Sequence, residues 1–228
     1  MIQHCIASII AIFIILPMKS ICQTIFIQIE EISYEDSSRY MGGGNFVFTA
    51  QYPLRDVLYH CLARTGSGMS KDLIELEKDP LIRIKAGSKS ELAEYALFQR
   101  IAKELMNRYN LELQLKQVEK KTLIFRSVEQ APSPNQKNSG TELHSNGDVT
   151  LSNASLSTVC WWLGHHGVGL RVDQKELLDD IRVTLDFPAE TIAQMPDNIS
   201  SIQQLLNNQG VICELEKEPI QIPVETSE

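Results

Sequence analysis

Positive charge is in short supply in this chain. Across 228 residues, 21 Lys and Arg stand against 29 Asp and Glu, a formal charge of −8 with no basic cluster. That balance lacks the electrostatic footprint of a general nucleic-acid binder. Proline (9) and glycine (12) are sparse, so most of the chain can enter regular structure. The longest apolar stretch is about half the ~20 residues a spanning helix needs, which excludes a multi-span membrane protein. Signatures of chemistry are missing as well. There is no Cys-x-x-Cys pair for thiol exchange, no Gly-x-Ser-x-Gly elbow, no phosphate-cradling Gly-rich loop with its Lys-Ser/Thr, and no His-Glu-x-x-His zinc motif. With 43% hydrophobic and 22% charged residues, what remains is the composition of a folded globular protein.

The first segment, residues 1–22, reads as a secretion signal. Ile6 to Leu16 is apolar apart from Ser8, and Pro17 ends it. Eleven residues suit the apolar core of a signal peptide. Ser20 and Cys22 provide small residues for a cut before Gln23, although no Lys or Arg leads the run. The alternative is an uncleaved buried strand or anchor. Export places the protein outside the cytoplasm, periplasmic or secreted, with no stable membrane span once the signal is gone. The mature chain loses Lys19, which brings its charge to −9, and keeps three cysteines, Cys61, Cys160 and Cys213. Three is not a disulfide framework. Cys61 and Cys160 fall on apolar helical stripes, and Cys213 alternates with Val211 and Leu215, so all three read as buried thiols. One native disulfide among them is the alternative.

Two halves then say similar things. Pro53–Gly68 and Ser155–Gly169 are amphipathic helices stopped by glycines, followed by strand-like runs Leu81–Ala86 and Ile181–Phe187. A capping box, Ser88 to Glu91, opens a helix whose Tyr95, Phe98, Ala102, Leu105 and Tyr109 keep helical spacing to Asn110. In the second half Asn198 opens a shorter helix that Gly210 ends. Each half closes on two alternating strands, Leu111–Leu115 with Leu123–Ser127, and Val211–Leu215 with Ile220–Val224, predicted as two hairpins. Between the halves, Gln130 onward turns rich in Pro, Ser and Asn. The sequence therefore predicts an α+β fold of two related small modules, each a mainly antiparallel sheet with helices packed on one face. The expected boundaries are 23–129 and 147–228, with 130–146 as linker or long loop. Gly42–Gly44 reads as a flexible turn.

This order of elements, with PLRDVLYHCLARTG, DPLIRIKAGS and NLELQLKQVEKKTLIF in one half and ASLSTVCWWL, LRVDQKELLDDIRVTLDF and GVICELEKEPIQIPV in the other, resembles the uncharacterised "soil-associated" family of exported bacterial domains. Val172-Asp173 leading to Ile181–Phe187 matches that family's valine-aspartate step, with Gln174–Asp180 in place of its glycine-rich turn. The short helix–strand units also resemble the small N-terminal domain of secretins and TonB-dependent receptors. The signal, the recurring modules and the missing catalytic motifs predict a non-enzymatic interaction or sensing module with a protein partner in the cell envelope. The resemblance implies an extracytoplasmic bacterial protein of two related modules with no established activity. Because some relatives are joined to thioredoxin-like domains, it also implies an alternative, an accessory role in an extracytoplasmic thiol-redox system.

One patch stands out. Both tryptophans, Trp161 and Trp162, adjoin His165 and His166. Consecutive residues differ by about 100° on a helix, so one Trp is expected in the core and the other leaning outward. These four residues are the candidate binding surface. Neighbouring histidines without spaced Cys or carboxylate partners do not make a metal site, and the expectation is no metal, no cofactor and no catalytic residue.

Overall fold

A computed structural model describes residues 25–33, 39–44, 47–88, 94–116, 122–129, 139–195, 197–217 and 219–226. The signal at residues 1–22, the Lys89–Glu91 part of the capping box and residues 130–138 of the expected linker lie outside the described residues.

Strands β1 (Ile25–Glu31), β2 (Tyr40–Gly44), β3 (Val47–Pro53) and β4 (Leu81–Ser88) form a four-stranded antiparallel sheet in the order β1-β4-β3-β2. In β1 the isoleucines at 25, 27 and 29 alternate toward the core, the period that leaves one sheet face dry. Gly42–Gly44 are not a turn: they complete β2, pairing with Val47–Thr49. Helices α1 (Leu54–Arg64) and α2 (Glu94–Arg108) cover the sheet. Asn110, at φ 52°, stops the second helix, since Asn takes the left-handed conformation at small cost. Strands β5 (Leu111–Lys116) and β6 (Thr122–Val128) follow.

The second half also alternates strands and helices. Strands β7 (Gly140–Leu143) and β8 (Val149–Ser155) lead to α3 (Leu156–His165), whose N-terminus Ser155 caps by accepting from Thr158 N–H. Short β9 (Leu170–Arg171) and α4 (Leu177–Asp180) precede β10 (Arg182–Phe187), which pairs with β8. Helices α5 (Ala189–Ala193) and α6 (Ile199–Asn208), the latter capped by Asn198, lead to β11 (Val211–Glu216) and β12 (Ile220–Glu225). Part of the expected linker is thus a strand: Gly140–Leu143 pairs antiparallel with β8 as the sheet's exposed edge. The α+β class is the one the sequence predicts.

The predicted closing hairpins do not form. Neither pair of strands folds on itself; the two segments pair with each other. β5 runs antiparallel to β12, with Leu113 opposite Pro223, and β6 runs antiparallel to β11, with Ile124 opposite Glu214. From Lys116 to Thr122 the first segment advances six residues while its partner falls back four, from Ile220 to Glu216. Period-2 alternation marks a strand and its buried face but carries no information about which strand it meets.

The exchange decides how the cores are closed. One core gathers α1, α2, β3 and β4 and is completed by Ile220 and Ile222 from the last strand of the chain. The other gathers α3, β8, β10, α6 and Val211, and is completed by Leu123 and Phe125 from the first half. Full burial of such a side chain contributes about 1.5–3 kcal/mol, so each half depends on its neighbour for part of its cover.

Ile222→Ala is therefore expected to lower stability by about 2–5 kcal/mol in urea unfolding. Amide exchange should accelerate first in β4 and α2. Acceleration confined to β8, β10 and α3 would mean that β12 serves the second core instead.

Candidate functional site

The site is built where α1 meets α3. Tyr59 Oη donates to the Trp161 carbonyl (2.6 Å), and Ser157 Oγ donates to the Arg64 carbonyl (2.9 Å). These contacts join the end of α1 to the start of α3, so the helices run antiparallel. Close approach needs Gly164, where a Cβ would lie 2.6 Å from the Met69 carbonyl oxygen and 2.8 Å from Tyr59 Oη.

On α1, His60 and Arg64 stand four residues apart and share a helix face. His60 is 6% exposed and packed among rings, stacked on Phe48, edge-on to Phe98 and tilted against Trp161, each centroid 5.3 Å from its own. The Arg64 guanidinium lies over Phe98 (5.1 Å) and Trp161 (5.3 Å). Its Nη1 donates to Glu94 Oε1 at 2.5 Å. Two polar atoms in this cluster, Arg64 Nε and His60 Nδ1, are shielded from water and have no hydrogen-bond partner among the described residues. An unmet buried polar atom costs about 1–3 kcal/mol, so two together mark a place rather than an accident of packing.

Both residues line a cleft of about 740 Å³ between the two halves, walled by β3, α2, β7, β8 and α3. That volume is in the range of small-molecule sites. Arg182 faces it from β10, and Asn153, a non-glycine residue held at φ 47°, stands in its wall. A second cavity, about 780 Å³, lies between α2, the start of β12 and the loop from Arg171 to Lys175. Of its two lysines, Lys175 is satisfied, its Nζ donating to the carbonyls of Gly66 (2.9 Å) and Val172 (2.7 Å).

The four residues singled out in the sequence divide between two places. Trp161 is partly buried, lines the cleft and packs against both cores. Trp162 is 5% exposed and sits in the second core, its ring 4.2 Å from Phe187. His165 is exposed beside Trp161 and Tyr59, while His166 rests on Trp162 (4.5 Å). His60, Arg64, Phe48 and Phe98 escaped sequence reasoning. The signal available was the pair His60 and Arg64 on one face of an otherwise apolar helix.

Burial holds the His60 pKa well below its usual value, with the Arg64 charge adding to the effect. Burial likewise lowers His165 and His166. The three cysteines are free and buried. Burial pushes the thiols of Cys160 and Cys213 up to about 12 and raises Cys61 as well, which leaves little thiolate for exchange chemistry at neutral pH. Among the described residues no group of three or more His, Cys, Asp or Glu is placed to hold a metal ion, and no helix is long and apolar enough to cross a membrane. No protein-family model matches the chain, and neither curated proteins nor solved structures yield a match.

The depressed histidines give stability a sign with pH. Below about pH 6.5 the unfolded imidazole binds a proton that buried His60 refuses, so stability is fully present above that pH and is lost as pH falls. Urea unfolding between pH 7 and 5 should show a loss approaching about 1.4 kcal/mol per pH unit from His60. His60→Phe should reduce it to the smaller slope left by His165 and His166, and an unchanged slope would place the proton uptake elsewhere.

Proposed function

We propose that this protein is an exported, non-enzymatic interaction or sensing module that takes its target in the cleft between its two halves. The observation that carries the reading is the pair of unmet polar atoms, Arg64 Nε and His60 Nδ1, set among aromatic rings at the wall of a ligand-sized cleft. A site built for binding needs shape, apolar surface and a few convergent polar groups. The recurring order of strands and helices in the two halves reads as an internal duplication, and it supports the resemblance to the "soil-associated" exported domains. The apolar run from Ile6 to Leu16 supports action outside the cytoplasm, periplasmic or secreted. A protein partner in the cell envelope then docks on the rim of the same face, where Trp161 and His165 reach the surface.

Trp161 is the residue to change, because it lines the cleft, whereas Trp162→Ala would open a hole in the second core. The chain from Gln23 onward should be dialysed against a small-molecule extract of spent growth medium, with bound compounds read by mass spectrometry. At least one compound should be enriched by the native protein and reduced about tenfold by a folded Trp161→Ala variant. A folded native chain that enriches nothing contradicts the reading.

A further inference from the structure

The chemistry of the cleft narrows what it takes. The Arg64 guanidinium feels two carboxylates, Glu94, which Nη1 engages, and Asp179, yet its Nε–H is buried and has no hydrogen-bond partner among the described residues. The guanidinium is not free to swing toward another acceptor, because Phe98 and Trp161 hold it at 5.1 and 5.3 Å. A fixed, dry N–H on a cation is best met by an anionic oxygen, whose hydrogen bond is shorter and stronger than that of a neutral acceptor. Charge agrees. Among the described residues, the charged side chains lining the cleft are Arg64, Arg182 and Glu94, a net positive site in a chain of formal charge −8. The surroundings are flat and apolar on one side, from Phe48, Phe98 and Trp161, and His60, 6% exposed, supplies a further polar contact through Nδ1, which has no partner among the described residues.

We infer that the cleft binds a small organic carboxylate with a planar apolar body, its oxygen accepting from Arg64 Nε–H and its plane lying on Trp161. This deepens the binding reading above and rests on it. Arg64 acts as the anchor, Glu94 holds its guanidinium in orientation, and Arg182 draws the anion in from the mouth of the cleft.

The test uses the chain from Gln23 onward, labelled with nitrogen-15, and four probes: benzoate, phenyl phosphate, benzamide and benzylammonium. The readouts are the side-chain Nε–H resonance of Arg64, identified by its loss in Arg64→Lys, and the indole N–H resonance of Trp161. Benzoate should move both saturably, and benzamide at least tenfold more weakly. Benzylammonium should move neither. Arg64→Lys should weaken benzoate at least tenfold, and if that variant fails to fold, the direct response of the native Arg64 resonance carries the result. Tighter binding of phenyl phosphate overturns the carboxylate in favour of a phosphate. Equal binding of benzamide or benzylammonium overturns the anion and leaves the cleft as a binding site. A folded protein in which no probe moves either resonance overturns the inference, while enrichment from the medium extract still decides the binding reading by itself.

Discussion

Pairing of residues 111–128 with residues 211–225, rather than of each segment with itself, is the constraint on which the molecule depends. Leu123 and Phe125 leave the half that encodes them and close the other core, and Ile220 and Ile222 make the reverse journey. The strands that pair lie about a hundred residues apart in the chain. Such non-local pairing carries a large loop-closure entropy, which packing must offset before either core is complete. Two small α+β units, each near the lower limit for a stable core, become one larger unit with a better ratio of buried to exposed surface.

Everything at the interface of the halves follows from that crossing. With the paired segments bridging the cores, α1 and α3 are pressed together closely enough that Gly164 has no room for a side chain against Met69 and Tyr59. The loops after these helices also meet, with Val172 N–H donating to the Gly66 carbonyl, and β6 joins them through Leu123 N–H donating to the Gly169 carbonyl. The cleft with Arg64, His60 and Trp161 lies beside this joint. Its polar atoms are buried because two halves converge on them, and neither half alone would enclose them. The unmet groups cost stability, and a structure held at several other points can carry that cost.

Much of the local structure was legible. The stripes of Leu54 to Leu62 and Leu156 to Leu163 became α1 and α3, Asn198 became a cap, and Asn110 and Gly210 became stops with positive φ. Each of these signals is local, so nearby residues suffice to express it. Strand partners are not local, and alternation in Leu111–Leu115 is satisfied equally by a hairpin or by β12. The glycines of β2 hid a strand, because backbone pairing with β3 overrides their preference for turns. The site was half visible. Trp161 stood out by composition, but its companions His60 and Arg64 lie about a hundred residues earlier and join it through tertiary packing alone.

The crossing is tested most directly by nuclear Overhauser contacts between backbone protons of the four strands. Contacts linking Leu113 with Pro223 and Ile124 with Glu214 are the predicted result. Contacts linking Leu113 or Leu115 with Leu123 or Phe125, the mark of a closed hairpin in the first half, would contradict it.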